Sequence, residues 1–370
     1  MNKTGIRLTN EEAKYLGLQI KQKPKKGNPK YYIKQEQLQD IQNLRDNKKL
    51  TLKGKSTLKD ADGNIVLEWT KTEVTQEKRL DKLREAVKAL NEDVKPIKPK
   101  PSTIPYTNTG LINQYTLTDY HLGMMAWGEE TGADWDIDIA ERVMVEYFRY
   151  AIINSPVADC AIFAQLGDFL HWDGINAVTP MSGHLLDADT RFTKLVRVTI
   201  RVIRRVVDML LDKYQTVKLI MAEGNHDITS SIWLRETINV FYENEPRVEV
   251  DTSADPYYAV KWGKTLLCYH HGHKRNLNNI DTVFVAKFKE WFGKSKNVYA
   301  HTGHLHHSHV KETNLMMLEQ HRTLAAKDAY ASRGGWLSGR DSKVITYHKE
   351  YGEIDRRTIS IEYIMSKIKK

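Results

Sequence analysis

The order of apolar and polar positions over the second part of the chain predicts alternating strands and helices. Between the short apolar runs that are typical of buried strands, apolar residues recur at the three- and four-residue spacing of amphipathic helices. Such alternation predicts an α/β domain. The predicted strands are residues 114–117, 160–165, 217–222, 265–269 and 296–300, and the predicted helices are residues 137–153, 192–214, 232–243 and 282–292.

The first hundred residues predict shorter elements. We expect a helix over residues 8–16, a strand over residues 31–33 and a helix over residues 35–46. Asp62-Gly63 lies between two alternating runs and predicts a hairpin, and helical spacing returns over residues 75–91. Together these elements predict a small α+β region.

A proline-rich stretch separates this region from the α/β domain. Residues 94–105 contain four prolines, which restrict the backbone and remove hydrogen-bond donors. We therefore expect a semi-rigid linker there, a basic N-terminal domain over residues 1–93 and a larger domain over residues 106–370.

Charge is distributed unevenly along the chain. Residues 1–100 hold 24 Lys and Arg against 14 Asp and Glu, a net charge of +10. The other 270 residues hold 56 − 24 = 32 basic and 47 − 14 = 33 acidic side chains, a net charge of −1. A basic module beside a nearly neutral one indicates that the first binds a polyanion.

The basic loop between the first two predicted helices is the candidate nucleic-acid contact. Helix, loop and helix are compatible with a helix-turn-helix or winged-helix module, and equally with any small surface domain. DNA is the partner that we expect. The candidate contact residues are Lys21, Lys23, Lys25, Lys26 and Lys30.

The remaining composition is that of a cytoplasmic protein without a membrane partner. No apolar run approaches the ~18 residues that a membrane span needs, and the first residues lack the apolar core of a secretory signal. Cys160 and Cys268 both lie in apolar runs, so we expect reduced core residues. Homo-oligomerisation stays open.

Histidines are concentrated in the second part of the chain. None of the 14 precedes His121, and eight fall between His270 and His309. The densest stretch, HTGHLHHSH at residues 301–309, is predicted to be a loop after a strand, with Gly303 allowing a tight turn. Because neutral imidazole is a preferred ligand of transition metals, the stretch predicts a metal site.

Polar clusters follow all five predicted strands. Taken singly, Asp119 could cap a helix, Asp168 could hold a turn and His271 could be a core histidine. In open α/β sheets, however, ligands bind beyond the carboxyl ends of the strands, so the five clusters are expected to converge. They are Asp119-Tyr120-His121, Gly167-Asp168, Gly224-Asn225-His226-Asp227, His270-His271-Gly272-His273 and Gly303-His304-Leu305-His306.

The order and types of these residues resemble the calcineurin-like metallophosphoesterase superfamily, with its signature D-x-H, G-D, G-N-H-[D/E], H and G-H-x-H. The resemblance implies two packed mixed sheets flanked by helices, holding two divalent metal ions. It also implies that His226 stays off the metals and acts near the leaving group. The implied ligands are Asp119, His121 and His306 for one metal, Asn225, His271 and His304 for the other, and Asp168 as the bridge.

Two-metal chemistry suits phosphoester hydrolysis. Phosphate oxygens repel a nucleophile, and two cations ~3.5–4 Å apart can neutralise those oxygens and lower the pKa of a water. Mixed nitrogen and oxygen ligands without thiolate favour Mn, with Fe, Zn and Mg as alternatives. A free histidine can then protonate or stabilise the departing alkoxide.

The motif details favour one branch of this superfamily. The second and third motifs depart from the protein-phosphatase pattern, and the runs at residues 119–123 and 167–171 look more like the Mre11/SbcD nuclease branch, including phage-encoded enzymes. That likeness implies that His171 positions the substrate, although it could also be a hydrogen-bonded loop histidine. Only 64 residues follow His306, so we do not expect a Rad50-like ATPase partner.

We therefore expect a metal-dependent phosphoesterase that hydrolyses phosphodiester bonds, most directly a DNA nuclease acting in the cytoplasm, or in a host cytoplasm if the source is a phage. His273, Arg333 and Arg340 are further candidates for substrate binding, although the two arginines could equally lie in a solvated loop. One alternative is the same chemistry on a phosphoprotein or a small nucleotide. Another is a DNA-binding or assembly factor with a vestigial metal site.

Overall fold

The computed structural model describes residues 107–180 and 183–368, and before them residues 4–8, 12–13, 16, 18–19, 30–34, 37, 50–59, 65–74 and 104. Two compact units are present, Met1–Lys88 and Ala89–Lys370. None of the helices in the described part of the chain has the length and apolar character needed to cross a membrane.

The N-terminal unit contains two antiparallel strand pairs. Strand β1 (Thr4–Arg7) pairs with β2 (Lys30–Ile33), and β3 (Leu50–Lys59) pairs with β4 (Ile65–Val74). The predicted strand at residues 31–33 and the predicted hairpin are therefore confirmed. The helix predicted over residues 75–91 lies outside the described residues, as do most of the other two N-terminal helices and nearly all of the linker.

The second unit contains a six-stranded mixed sheet. Four parallel strands lie side by side, and two further strands, each antiparallel to its neighbour, extend the sheet beyond the first of them. Their order is β15 (Gly352–Ser360), β14 (Asp341–His348), β5 (Leu111–Leu117), β6 (Cys160–Gln165), β7 (Thr216–Met221) and β8 (Val248–Val250).

A five-stranded mixed sheet completes the second unit. Its three central strands are parallel, and the two edge strands are antiparallel to their neighbours. The order is β12 (His309–Glu312), β13 (Met317–Gln320), β11 (Asn297–Thr302), β10 (Thr265–Tyr269) and β9 (Tyr258–Trp262).

One apolar cluster joins the two sheets face to face. Ile162 and Ala164 of β6 belong to the same buried cluster as Leu267 and Tyr269 of β10. Strand β6 is buried at all six positions, because its other face supports helices. This explains why the first five residues of the strand, CAIFA, are all apolar and show no polar alternation.

Helices cover the outer faces of both sheets. The helices are α1 (Gly128–Thr131), α2 (Ile137–Asn154), α3 (Phe192–Leu211), α4 (Ile228–Phe241), α5 (Ile280–Lys287), α6 (Lys289–Gly293), α7 (Ala329–Arg333) and α8 (Ile361–Lys367). Helices α2 and α3 pack on the six-stranded sheet through buried positions such as Val143, Tyr147 and Val202. Two packed mixed sheets flanked by helices confirm the expected fold.

Three local predictions need correction. The helix predicted over residues 282–292 is two helices, α5 and α6, separated at Phe288, whose backbone is not helical. The histidine stretch is not all loop, because His301 and Thr302 end β11 and His309 begins β12. The pattern also missed strands β8, β9 and β12 to β15, because several are short and many of their positions are polar.

A buried charge network ties the five-stranded sheet to its neighbour. The Glu319 side chain on β13 is 2% exposed and accepts hydrogen bonds from Lys343 of β14 and Arg356 of β15, both at 2.6 Å. Burial opposes ionisation of Glu319, but His321, Arg356 and Lys343 outweigh the burial and hold its pKa well below the ordinary value.

We predict that Glu319→Gln lowers the free energy of unfolding by about 3–5 kcal/mol, because it leaves the buried Lys343 ammonium without a counter-charge. Glu353→Gln is the matched control, since Glu353 pairs with the same Arg356 at a more exposed position. Urea unfolding of the full chain measures both. Because the pKa of Glu319 is depressed, its contribution is complete above its ordinary pKa of about 4.3 and declines as the pH falls below it. Equal effects of the two substitutions would contradict this prediction.

Candidate metal centre

Five chain segments meet at the junction of the two sheets. The segments after β5, β6 and β7 leave the six-stranded sheet, and those after β10 and β11 leave the five-stranded sheet. Among the described residues, these segments supply two groups that combine a carboxylate with imidazoles. Within each group, the potential ligand atoms lie within 4.8 Å of one another. These groups are Asp119, His121 and His306, and Asp168, His271 and His304.

The first group is built around the Asp119 carboxylate, which is fully buried. Its Oδ1 lies 3.0 Å from His306 Nε2, which in turn lies 3.4 Å from His121 Nε2. Its Oδ2 accepts hydrogen bonds from the Thr118 hydroxyl at 2.5 Å and from the His304 backbone N–H at 2.8 Å. One carboxylate oxygen therefore fixes the loop, while the other faces the imidazoles.

The second group is built around His271. Its Nδ1 donates to the Leu166 carbonyl at 2.9 Å, which fixes the ring and leaves Nε2 directed into the site. That Nε2 lies 3.1 Å from Asp168 Oδ2, 3.1 Å from Asn225 Oδ1 and 3.8 Å from Asp119 Oδ1. His271 thus stands between the two carboxylates, and the Asn225 side chain adjoins the second group.

The backbone at the candidate ligands is strained. Among the described non-glycine residues, the only positive φ angles belong to five candidate ligands. A non-glycine residue in the left-handed region costs of order 1–3 kcal/mol and persists where the surrounding structure imposes it. Strain confined to one cluster indicates that the chain is held for a function there. The φ angles are Asp119 49°, His121 46°, Asp168 51°, His304 75° and His306 55°.

Two motif glycines are required by close packing. A Cβ on Gly224 would lie 1.9 Å from Asp168 Oδ1, and a Cβ on Gly303 would lie 1.8 Å from the Thr118 hydroxyl oxygen. A tight turn does begin at Gly303, whose carbonyl accepts a hydrogen bond from the Leu305 backbone N–H at 3.0 Å, but the positive φ belongs to His304 and not to Gly303. It is a glycine because another segment of the site packs directly on its backbone.

Asp227 is a supporting residue to which the sequence analysis assigned no role. Its buried carboxylate accepts hydrogen bonds from the backbone N–H groups of Phe169, Leu170 and Gly224, so it joins the second motif to the third. Burial and the nearby Asp168 raise its pKa to about 7. Its place as the fourth residue of Gly224-Asn225-His226-Asp227 was the available signal.

The electrostatics of the centre favour bound cations. Burial opposes the charge of Asp119 and Asp168, and the neighbouring histidines outweigh the burial and keep both pKa values low. Burial likewise opposes protonation of His271, but Asp168 and Asp119 outweigh it and raise the pKa of His271 to about 9. The protonated imidazole thus places a positive charge between two buried carboxylates. Nitrogen and oxygen donors without thiolate fit divalent cations there.

A third imidazole cluster adjoins the first group. His121, His171 and His226 also have nitrogen atoms within 4.8 Å of one another. His226 Nδ1 lies 2.9 Å from the His171 carbonyl and donates to it, which leaves His226 Nε2 available. His171 is buried, with Nδ1 3.3 Å from His121 Nδ1 and with no hydrogen-bond partner at Nε2 within the described residues. His171 and His226 therefore both border the centre.

The candidate substrate-binding residues lie in different surroundings. The His273 ring centroid is 5.4 Å from that of His271, beside the second group. Arg333 forms an ion pair with Glu130 at 2.6 Å, and Arg340 lines the cleft beside the centre but donates to the Leu324 carbonyl at 2.7 and 3.0 Å.

The candidate nucleic-acid contacts fall elsewhere. Lys21, Lys23, Lys25 and Lys26 lie outside the described residues, and Lys30 begins β2 of the N-terminal unit.

A fourth group of potential ligands has a structural role. His301, Glu319 and His321 are buried and close together. The Glu319 carboxylate is already neutralised by Lys343 and Arg356, and His301 Nδ1 is hydrogen-bonded to His321 Nε2 at 2.9 Å. A divalent cation would be repelled by the two side-chain cations and would break the imidazole pair. This group stabilises the sheets.

Fold and site together define a metal-dependent phosphoester hydrolase. The model of the calcineurin-like phosphoesterase family matches residues 138–344, which is 207 of the 370 residues. The chain therefore belongs to the calcineurin-like phosphoesterase family. Asp119 and His121 precede the matched residues but join the others in space. The comparison with curated proteins found no match.

Solved structures with similar folds share little sequence with this chain. A conserved protein of Streptococcus pneumoniae, described as a predicted phosphoesterase, is 12% identical over 68% of this chain and 98% of its own, with a TM-score of 0.28. An archaeal phosphodiesterase is 14% identical over 67% and 99%, with a TM-score of 0.33. A dimetal phosphatase from Danio rerio is 7% identical over 68% and 99%, with a TM-score of 0.36.

We predict that Asp168→Asn weakens metal binding by more than about 10-fold, because it removes the negative charge that faces His271. Metal titration of chelator-treated protein, with bound metal counted by mass spectrometry, measures the change. Asp173→Asn is the matched control, since Asp173 accepts two backbone hydrogen bonds at the start of α4 and belongs to neither ligand group. Unchanged affinity in Asp168→Asn would show that this carboxylate is not a ligand.

Proposed function

We propose that this protein is a two-metal phosphodiesterase that hydrolyses nucleic acid, most directly a DNA nuclease using Mn²⁺. The observation that carries the proposal is the pair of ligand groups beside an open cleft. The two groups meet at His271, and Asp168 lies close to both. The concentration of basic residues before residue 100 supports a polyanionic substrate.

The ligand assignment follows the two groups. We assign Asp119, His121 and His306 to one ion. The other ion takes Asn225, His271 and His304, and the Asp168 carboxylate faces both groups. Two divalent cations held there would neutralise phosphate oxygens and lower the pKa of an attacking water.

The side chains around the ligands orient the reaction. His226 borders the cleft, and its Nδ1–H donates to the His171 carbonyl, so a proton for the leaving alkoxide must be carried on Nε2. The His226 backbone N–H also donates to Asp168 Oδ1 at 2.8 Å. A single residue thus holds the bridging carboxylate by its backbone and faces the cleft with its side chain.

Hydrolysis of DNA tests the proposal. We expect the protein with Mn²⁺ to cleave DNA and not a small phosphomonoester. His226→Asn should lower turnover roughly 10²–10⁴-fold while bound metal is unchanged, because the ring is not a ligand. His348→Asn is the control, since His348 pairs with Leu111 at the opposite end of β5 from the centre.

Other outcomes identify the alternatives. Hydrolysis of phosphomonoesters alone would favour a phosphatase. Binding of DNA without hydrolysis of any phosphoester would favour an assembly factor. If His226→Asn loses as much metal as His304→Ala does, His226 is a metal ligand within the third imidazole cluster.

We further propose that the N-terminal basic residues bind the nucleic-acid backbone. Each phosphate contact made by a lysine releases counterions, so binding weakens with salt. We predict that replacing Lys21, Lys25 and Lys26 with Gln reduces the slope of log affinity against log salt by up to about three. Fluorescence anisotropy of labelled DNA in a KCl series measures the slope.

A matched triple substitution controls for the change in net charge. Lys289, Lys294 and Lys296 are exposed on the second unit, and their replacement by Gln removes the same charge. An equal effect of the two triple variants would show that overall charge, and not the basic N-terminal loop, governs binding.

A further inference from the structure

A cleft of about 400 Å³ opens beside the metal centre. One side is formed by proposed ligands such as His121 and Asp168, and the other side is formed by residues between 323 and 340. The volume is within the range of small-molecule sites. The second side, which we call the outer wall, therefore contacts whatever part of the substrate adjoins the reacting phosphate.

The outer wall is anchored by the two arginines that the sequence offered as phosphate ligands. Arg333 donates to the Glu130 carboxylate at 2.6 and 3.0 Å, and the Ser332 hydroxyl donates to the Glu130 carbonyl at 2.8 Å. Arg340 donates twice to the Leu324 carbonyl and places its guanidinium 5.4 Å from the centre of the Trp135 ring. These arginines hold the wall in place.

Two large aromatic side chains are exposed on the same wall. Tyr330 is 75% exposed and Trp336 is 55% exposed, and both line the cleft. Their ring centroids lie 5.3 Å apart at an interplanar angle of 46°, so each ring keeps a face that the other does not cover. An aromatic pair left in water beside an active site indicates a ring-binding surface.

The Trp336 indole is held in place by the backbone of Gly334. A Cβ on Gly334 would lie 2.7 Å from the Trp336 ring, so the indole packs directly on the Gly334 backbone. Lys327 lines the same cleft and adds a positive charge to the wall. Aromatic faces combined with a basic side chain match the chemistry of an unpaired nucleotide, which offers a flat base and an anionic backbone.

We propose that Tyr330 and Trp336 stack an unpaired nucleobase next to the phosphate that the metal centre hydrolyses, and so select single-stranded or frayed strands. This inference rests on the proposed nuclease function. Bases inside a duplex hide their faces in the stack, so a stacking surface beside the reacting phosphate favours a strand whose bases are free.

Two single strands of equal length test the proposal, one carrying thymine at every position and one carrying abasic residues on the same phosphodiester backbone. The unchanged protein should cleave the thymine strand with the higher kcat/KM. Trp336→Ala should lower kcat/KM on the thymine strand about 5- to 100-fold, as expected for the loss of one stacked base, and leave the abasic strand unaffected. Trp336→Phe should restore most of the preference.

Matched controls separate stacking from general damage. Tyr351→Ala removes an equally exposed tyrosine that does not line the cleft. Gly334→Ala displaces the indole without removing it and should reduce the preference for thymine. Gly293→Ala, where a Cβ meets no atom within 4 Å, should not.

The outcomes also separate this inference from the function on which it rests. Equal losses on both strands, or no loss in Trp336→Ala, would overturn stacking and favour a protein contact for the aromatic pair. Hydrolysis of neither strand by the unchanged protein would contradict the nuclease function instead. Anisotropy of both strands in EDTA then decides the inference: it stands if Trp336→Ala weakens binding of the thymine strand alone, and fails otherwise.

Discussion

The structure depends on the enclosure of two carboxylates, Asp119 and Asp168, at the junction of its two sheets. Each is almost completely removed from water, and a buried carboxylate without a positive partner is very costly. His271 lies between them, and its imidazole interacts with both carboxylates. Space for this arrangement comes from glycines whose Cβ atoms would overlap the carboxylates or their supports, and strained backbone aims the ligands inward. The buried charges and the strained backbone lower stability locally and form a site that suits cations.

Another buried carboxylate, that of Glu319, lies where the five-stranded sheet meets its neighbour, and its charge is neutralised in a different way. Glu319 is matched by Lys343 and Arg356, which are permanent cations of the chain. Asp119 and Asp168 are matched by histidines, whose charge can be given up when a metal ion arrives. Of these three carboxylates, that of Asp168 is the one that lines the open cleft. This contrast separates a charge network that stabilises the fold from one that is able to bind an ion.

The cleft also shows how a charged side chain can serve a site without contacting its ligand. Arg333 and Arg340 suit phosphate binding by residue type, but the structure engages both in fixing the outer wall. Among the described residues that line this wall, Tyr330 and Trp336 offer exposed aromatic rings, and Lys327 offers a positive charge. Stacking on the two rings is therefore the contact that we propose at this wall.

The sequence by itself indicated the candidate ligands, the alternation of the central strands and helices, and the family. It could do so because the motif residues follow strand ends and because apolar periodicity can be read from the sequence alone. It could not determine how the strands pair within the two expected sheets, since pairing such as that between β14 and β5 joins residues far apart in the chain. Nor could it assign Asp227, Arg333 or Arg340, whose roles depend on which backbone groups or carboxylates come within hydrogen-bond distance. Gly303 shows the same limit: a turn was predicted from the residue type, but the packing of Thr118 is what requires the glycine. Such contacts exist only once the sheets have packed, so only the tertiary structure decided them.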